Sequence, residues 1–95
     1  MALLTGSNKI KTAVFISGTG SNLKSLIQFS KLKKSPISIE MIISNNIKSK
    51  GLQYAKVYKI KKKVFDFKNN SSDKKVIHEL KNNNINLICL AGFMK

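Results

Sequence analysis

The stretch that decides the fold is TAVFISGTGSNLKSLIQF, residues 12–29. It opens with an apolar, β-branched run at 12–17, which is typical of a strand buried on both faces of a sheet. A short polar loop containing Gly18 and Gly20 follows, and from Asn22 onward the apolar residues recur at helical spacing. The stretch therefore predicts a strand, a glycine-rich turn and a helix in direct succession.

The rest of the chain repeats this alternation of strand and helix. Pro36 ends the first helix, because its ring cannot continue a helix and it restricts the residue before it. Further strands are predicted at 37–44, 62–67 and 85–93, and further helices at 50–59 and 73–83. The order β-α-β-α-β-α-β predicts an α/β fold, a Rossmann-like arrangement of three layers in which about four parallel strands are covered by helices.

The apolar residues also predict which elements are buried. The last strand, 85–93, is apolar on both faces and is expected to be buried, whereas 62–67 is short and is expected near an edge of the sheet. In the last helix, Val76, Ile77 and Leu80 have the spacing of core-facing residues.

The chain ends soon after its last predicted strand, with AGFMK at 91–95. In open α/β sheets, ligands bind at the carboxyl ends of the strands. A buried-type strand with almost nothing after it leaves one flank of the sheet uncovered. We therefore expect a sheet truncated after its last strand, in a chain that is part of a longer protein.

The composition is that of a small folded domain. The chain has 95 residues, of which 42% are hydrophobic, and this excludes a disordered chain. No apolar stretch approaches the ~18 residues that a membrane-spanning helix needs, and no secretory signal is evident. Cys89 is the one cysteine in the sequence. We therefore expect no disulfide, no metal site, no membrane partner and a cytoplasmic location.

The formal net charge of +14 is carried entirely by lysine, because the chain has 18 basic residues and no arginine among them. A strongly basic chain can bind nucleic acid without sequence specificity. Arginine makes most specific contacts to phosphate and guanine, so its absence argues against a specific nucleic-acid partner. The lysines accompany many isoleucines and asparagines, which share A/T-rich codons, and nucleotide bias is a sufficient explanation of the charge.

The SGTGSN loop at 17–22 has the features of a phosphate-binding turn. A parallel strand brings it to the carboxyl edge of the sheet, where the first amides of the next helix lack intrahelical partners. Glycine lets the backbone approach a ligand, and Ser21 and Asn22 add side-chain hydrogen bonds. The loop lacks the Gly-Lys-Ser/Thr of a P-loop, and Leu23 occupies the third glycine position of a dinucleotide fingerprint. These features favour a single phosphate monoester.

Three blocks of the sequence occur in an order shared with one enzyme family. They are ISGTGSNLKSLI at 16–27, IISNNIKSKGLQYAKVYKI at 42–60 and INLICLAGFMK at 85–95. The first carries S-G-x-G-S-N-L, the second a strand ending in S-N, and the third L-A-G-F-M. From about Thr12 to Lys95, the chain resembles the amino-terminal half of phosphoribosylglycinamide formyltransferase, the folate-dependent glycinamide ribonucleotide transformylase of purine synthesis.

The resemblance implies an activity and a substrate site. Members of this family transfer a formyl group from 10-formyltetrahydrofolate, a co-substrate, to the amine of glycinamide ribonucleotide. Their S-G-x-G-S-N loop holds the 5′-phosphate of the ribonucleotide. The matching residues here are Gly20, Ser21 and Asn22, with Thr19 at the variable position.

The resemblance implies less about folate binding and catalysis. The segment after L-A-G-F-M lines the folate pocket in the family, so Met94 and Lys95 would begin that wall, and Lys95 stands where arginine is usual. The catalytic Asn, His and Asp of the family lie beyond this strand, and His78 does not correspond to the catalytic histidine. We therefore expect no catalytic residue in this chain and no activity of the chain alone. The oligomeric state stays open.

Two other functions stay open at this point. A Rossmann-like unit of this kind could bind a phosphate or a nucleotide as a stand-alone module. A basic nucleic-acid binder is the third hypothesis, but it needs exposed aromatic side chains on which bases can stack. The candidates are Tyr54, Tyr58, Phe65 and Phe67, and we expect these to pack in the core instead.

Overall fold

The computed structural model describes residues 9–18, 21–66 and 72–92. Its strands and helices are β1 (Ile10–Ile16), α1 (Ser21–Ser30), β2 (Ile37–Ser44), α2 (Gln53–Val57), β3 (Lys61–Val64), α3 (Ser72–Asn82) and β4 (Leu87–Leu90). A 3-10 turn at Lys50–Leu52 leads directly into α2, so the predicted helix at 50–59 begins more tightly wound than expected. In this described part, the strands form one parallel sheet in the order β3-β2-β1-β4. The predicted α/β fold with four parallel strands is confirmed.

The strands β1 and β2 are buried at the centre of the sheet. Along β1, Ala13 and Phe15 face one side and Val14 and Ile16 face the other, because successive side chains of a strand alternate. The parallel pairing of β1 with β2 shifts register once, after Thr12. Burial on both faces explains why both strands are almost continuously apolar.

Helices cover both faces of the sheet and create two hydrophobic clusters in the described part of the chain. The first cluster lies under α1 and α2, where Leu23 and Ile27 of α1 are fully buried against the strands. The second cluster lies on the opposite face, under α3. Its buried members are Ala13, Phe15, Met41, Ile43 and Val76. The predicted three-layer arrangement is therefore confirmed.

The two edges of the sheet differ in charge. The edge strand β3 has the sequence KKKV, and its edge position confirms the prediction for 62–67. The other edge strand, β4, has the sequence LICL and carries no charge. Lysine on an edge strand discourages pairing with another chain. The β3 edge is therefore protected against further pairing, and the β4 edge is not.

The expectation that the last strand is buried on both faces is wrong. It covers Leu87–Leu90 rather than 85–93, and Leu87, Ile88 and Leu90 are 38%, 48% and 68% exposed. The reason is its position, because within the described residues β4 has β1 as a neighbour on one side and no strand on the other.

The helix α3 meets the sheet along a narrow stripe. Val76 is buried and Leu80 is half-buried against the second cluster, as predicted. Ile77 was also predicted to face the core, and this is wrong, because its side chain is 51% exposed. Residues four apart lie one above the other on a helix, so the stripe through Val76 and Leu80 leaves Ile77 at its margin.

The aromatic side chains contribute to packing, as the sequence predicted. Tyr54 and Tyr58 are partly buried against the first cluster, and Phe65 packs against the second. The Lys31 ammonium lies 5.5 Å from the centroid of the Tyr58 ring, a cation–π contact at the margin of the core. Phe67 lies outside the described residues. Among the described aromatic residues only Phe29 is exposed, and one ring does not form a stacking platform.

The helix α2 ends at a residue in a left-handed conformation. Lys59 has φ +56°, and the following Ile60 amide donates to the Ala55 carbonyl over 2.8 Å. This is the Schellman type of helix end, in which glycine fits best at the left-handed position. Asn84, with φ +57°, ends α3 in the same way, and asparagine tolerates this conformation better than lysine.

Candidate functional site

The carboxyl ends of β1, β2 and β4 meet at one edge of the sheet. Ile16 lies opposite Ser44, and Phe15 lies opposite Leu90. The Ala91 amide extends the β4 ladder by donating to the Phe15 carbonyl over 2.9 Å. The turns that follow these strands therefore lie side by side, at the place where open α/β sheets bind ligands.

The helix α1 begins beside this edge, since Asn22 and Ala91 line one groove. The predicted binding residues Ser21 and Asn22 form the start of its first turn, which contains no acidic residue. The first amides of a helix have no carbonyl partners within it, and the helix dipole places roughly half a positive charge there. This end of α1 therefore attracts an anion.

The segment after β2 holds the turn after β1 through the carbonyl of Gly18. Ser49 Oγ donates to this oxygen over 2.7 Å, and the Gly51 amide donates to it over 3.0 Å. Ser49 is 7% exposed, so its hydrogen bond is largely shielded from water. The start of the 3-10 turn thus fixes the residue that opens the glycine loop.

A second link joins the same two segments. Ser17 Oγ donates to Asn45 Oδ1 over 3.0 Å. The hydroxyl of Ser44, the fully buried last residue of β2, donates to the Asn46 carbonyl over 3.0 Å and accepts from the Asn46 amide over 3.1 Å. The turn after β2 is therefore held in one shape by its own side chains and attached to β1 by Ser17.

An open groove of about 440 Å³ lies between α1 and β4. Its lining combines the polar residues Asn22 and Ser25 with apolar ones. The apolar residues are Leu26, Phe29, Cys89, Leu90 and Ala91. This described lining offers no carboxylate and no imidazole for proton transfer. The groove can hold an apolar or aromatic group beside the amino terminus of α1.

The structure brings two of the predicted binding residues together and does not describe the others. Ser21 and Asn22 are adjacent at the start of α1. The remaining predicted residues lie outside the described ranges: Thr19, Gly20, Met94 and Lys95. Their proposed contacts therefore remain predictions.

The space beside Gly18 is open. A Cβ added to this residue would meet nothing within 4 Å, and its φ is not in the region that favours glycine. Neither packing nor backbone conformation therefore requires glycine at position 18. A ligand that approaches the backbone closely would give glycine an advantage here.

Ser49 is the residue that sequence patterns missed. It lies in the polar run SNNIKSKG, in which nothing distinguishes one hydroxyl from another. Its partner Gly18 is 31 residues away in the sequence, and the pairing of β1 with β2 brings the two together. No sequence signal could have identified this contact.

His78 and Glu79 of α3 make ordinary surface contacts. His78 is exposed, and its Nε2 accepts a hydrogen bond from Asn82 Nδ2 over 2.9 Å. Glu79 forms an ion pair with Lys63 at 3.4 Å. Among the residues with a described position, no three His, Cys, Asp or Glu side chains gather as a metal ion would require. No helix in that part of the chain is long and apolar enough to cross a membrane.

Comparison with known proteins gives the family of this chain. The sequence profile of the family described as Formyl transferase matches residues 10–95, from the first residue of β1 onward. The chain is a member of the formyl transferase family. The resemblance drawn from its sequence motifs is thereby confirmed.

Relatives of this formyl transferase chain include enzymes of purine synthesis. It is 41% identical over 93 residues to the trifunctional purine biosynthetic protein adenosine-3 of Gallus gallus, a match covering 94% of this chain and 9% of that protein. It is 38% identical over 89 residues to the phosphoribosylglycinamide formyltransferase of Haemophilus influenzae, which covers 90% of this chain and 42% of that protein.

Solved structures of the same family share the fold. The phosphoribosylglycinamide formyltransferase of Anaplasma phagocytophilum is 36% identical with a TM-score of 0.78, covering 92% of this chain and 41% of that chain. The Brucella melitensis enzyme is 30% identical with a TM-score of 0.83, covering 92% of this chain and 47% of that chain. The chain therefore corresponds to the amino-terminal part of the transformylase domain and spans about half the length of these relatives.

Proposed function

We propose that this chain is the ribonucleotide-binding part of a phosphoribosylglycinamide formyltransferase. The whole enzyme would transfer a formyl group from 10-formyltetrahydrofolate to the amine of glycinamide ribonucleotide. Relatives named for this activity support the proposal. Residues 12–95 are the proposed binding part and residues 1–11 an amino-terminal extension. The proposed location is the cytoplasm.

The observation that carries the proposal is the start of α1 beside a turn that other residues hold in place. Ser21 and Asn22 begin the first turn of α1, which contains no acidic residue, and Ser49 holds Gly18 at the start of the glycine loop. A phosphate group bound there is stabilised by the helix dipole and by hydrogen bonds from backbone amides. We assign the 5′-phosphate of the ribonucleotide to Thr19, Gly20, Ser21 and Asn22.

Binding the phosphate contributes to catalysis by positioning the reacting amine. A ligand held at its phosphate end keeps its amine end within a small volume along the carboxyl edge. Holding two reactants in the correct geometry removes much of the entropic barrier to their reaction. The proposed role of this chain in formyl transfer is therefore to bind and orient the ribonucleotide.

For the formyl donor, we assign Met94 and Lys95 to the beginning of the folate-binding wall. These residues follow Leu90 and Ala91, which line the groove between α1 and β4. The apolar lining of that groove suits an aromatic ring system. Positively charged Lys95 would favour the acidic end of a folate, without the paired hydrogen bonds of an arginine.

The chemical step requires groups that the described groove lacks. The amine nitrogen attacks the formyl carbon, a tetrahedral oxyanion forms, and the bond from that carbon to the folate nitrogen then breaks. The attacking amine loses a proton, and the departing folate nitrogen gains one. Donors for the oxyanion and a group to move the proton are needed. The described lining of the groove has no carboxylate or imidazole, and we propose that this chain alone transfers no formyl group.

A titration with glycinamide ribonucleotide, followed by NMR of the backbone amides, tests the proposal. We expect the Ser21 and Asn22 amides to shift and to saturate, because they begin the anion-binding turn. Glycinamide riboside, which lacks the phosphate, is the matched control and should leave them unchanged. Saturable shifts elsewhere with both amides unmoved would contradict the site. Formyl transfer by the chain alone would contradict the proposed inactivity.

A stand-alone phosphate-binding module is the second candidate. The contact between Ser49 and Gly18 favours it, because the proposed loop is fixed by residues of this chain. Such a module would bind ribose 5-phosphate as tightly as glycinamide ribonucleotide. The transformylase part should prefer the ribonucleotide, whose glycinamide group offers additional contacts. Comparing the two dissociation constants separates the candidates.

A further inference from the structure

We propose that Ser49 is a positioning residue for the phosphate-binding turn. The inference rests on the proposed function, since it concerns the affinity of the same site. Ser49 is not expected to contact the phosphate itself. Its hydroxyl acts on Gly18, the described residue that opens the loop.

The hydrogen bonds at Gly18 determine where its carbonyl points. The oxygen accepts one hydrogen bond from Ser49 Oγ at 2.7 Å and one from the Gly51 amide at 3.0 Å. A carbonyl oxygen has two acceptor sites, so both are occupied by the segment after β2. The negative end of this carbonyl dipole is thereby directed toward Ser49. A turn toward an incoming anion, which the carbonyl would repel, would break these hydrogen bonds.

The position of Ser49 makes this use of its hydroxyl unusual. Ser49 is the residue that precedes the 3-10 turn at Lys50–Leu52, where serine commonly caps the helix with its own side chain. Here it forms no such cap. The hydroxyl instead donates to a residue 31 positions earlier in the chain. The side chain therefore joins the segment after β2 to the turn after β1, and it does not cap the 3-10 turn that follows it.

Burial increases the effect of this hydroxyl. Ser49 is 7% exposed, so water has little access to replace its hydrogen bond. Without the hydroxyl, the Gly18 carbonyl would keep the Gly51 donor and lose the shorter of its two hydrogen bonds. A single neutral hydrogen bond of this kind corresponds to about a 3- to 10-fold change in an equilibrium constant. We expect phosphate affinity to fall by that factor in Ser49→Ala.

The experiment compares two serine variants of the whole chain. Ser49→Ala removes the proposed positioning contact. Ser35→Ala is the matched control, because Ser35 is 2% exposed and its hydroxyl contacts the Ile37 backbone at the amino end of β2, away from the site. Each variant is titrated with inorganic phosphate and with ribose 5-phosphate. The shifts of the Ser21 and Asn22 amides report binding at this turn separately from binding to lysines elsewhere.

Two further readouts separate positioning from a general loss of stability. The carbonyl carbon of Gly18 should change its chemical shift in Ser49→Ala without ligand and keep it in Ser35→Ala. The melting temperature of both variants should fall by similar amounts, since each loses one buried hydroxyl. An affinity that falls in Ser49→Ala alone supports the inference.

Three results would overturn the inference, and a different one overturns the proposed function. Ser49 has no positioning role if Ser49→Ala binds phosphate as the unaltered chain does. The same conclusion follows if Ser35→Ala loses as much affinity, or if the Gly18 carbonyl shift stays unchanged in Ser49→Ala. The proposed phosphate site itself fails if the unaltered chain shows no saturable shift at Ser21 and Asn22.

Discussion

Ser17 and Asn45 are 28 residues apart in the sequence, yet their side chains share a hydrogen bond of 3.0 Å. The bond joins the residue after β1 to the residue after β2, at the edge of the sheet where the proposed ligand binds. It acts beside the contact between Ser49 and Gly18. The proposed phosphate-binding turn is therefore attached to its neighbour at two successive residues.

Replacing Asn45 should loosen this edge of the sheet. Asn45→Ala removes the acceptor of the Ser17 hydroxyl, and we expect the free energy of unfolding to fall by about 0.5–1.5 kcal/mol. Urea denaturation followed by circular dichroism measures the change. The control is Asn82→Ala, an exposed residue of α3 that contacts His78. Equal losses in the two variants would contradict a special role for the link between Ser17 and Asn45.

The two glycines of the loop should respond differently to substitution. Gly18→Ala places a methyl group in open space, so the free energy of unfolding should stay within about 0.5 kcal/mol of the original. Gly20→Val should abolish the phosphate-dependent amide shifts while the amide spectra of α2 and α3 stay intact. Loss of the whole fold in Gly20→Val would mean that this glycine has a structural role instead.

Replacing Lys59 by glycine should stabilise the chain. Lys59 has φ +56° at the end of α2, and a left-handed conformation costs a side chain with a Cβ about 1 kcal/mol relative to glycine. Thermal unfolding should show a higher melting temperature for Lys59→Gly. Lys56→Gly, inside α2, is the control and should lower the melting temperature, because glycine disfavours a helix interior. A lower melting temperature in both variants would show that the Lys59 conformation carries no strain.

The uncharged β4 edge should make the isolated chain self-associate as salt increases. Salt screens the repulsion expected from a net charge of +14, and Leu90 on β4 is 68% exposed. Leu90→Lys should reduce the association seen by sedimentation velocity. Val64→Lys, on the β3 edge that already carries lysines, should not. At about 1 M salt the screening length is roughly 3 Å, so the repulsion between chains is largely removed. A chain that stays monomeric under these conditions would disprove the prediction.

Binding to single-stranded DNA should be weak and salt-dependent. The lysines neutralise phosphates and release counterions, so the logarithm of the affinity should fall linearly with the logarithm of salt concentration. Tyr54, Tyr58 and Phe65 pack against the core, and Phe29, the one exposed ring among the described aromatic residues, cannot form a stacking platform alone. Fluorescence anisotropy with oligonucleotides of different sequence should give equal affinities. Phosphate contacts are already weak at about 200 mM salt. Tight, sequence-dependent binding at that concentration would favour the nucleic-acid hypothesis.

The central part of the fold could be predicted from the sequence because its signals are local. The run ISIEMIIS is apolar and β-branched between Pro36 and the Asn45-Asn46 pair, and β2 has the predicted bounds. The position of Ser21 and Asn22 at the start of α1 could be predicted because a glycine turn leads there from a strand into a helix, and their contact with a phosphate stays a prediction. These predictions needed no knowledge of distant contacts.

The failures of sequence-based prediction concern contacts between distant segments. Leu90 is apolar in a strand of buried type, but its exposure depends on which strands stand beside β4. Ile77 has helical core spacing, but the angle at which α3 meets the sheet decides which residues are covered. The sequence around Ser49 is that of an ordinary polar turn, and its contact with Gly18 depends on how the two segments pack in the fold. Local patterns do not contain such relationships.

The helices bury different numbers of side chains on the two faces of the sheet, and this difference determines which face opens first. Val76 is the one buried side chain among those described on α3, whereas α1 has three, which are Leu23, Ile27 and Ser30. Amide protons of α3 should therefore exchange with solvent earlier than those of α1, in a partial opening that leaves the rest of the molecule closed. The proposed ligand-binding turn belongs to the half of the molecule that stays closed in this opening, so a ribonucleotide would remain bound while α3 is detached from the sheet.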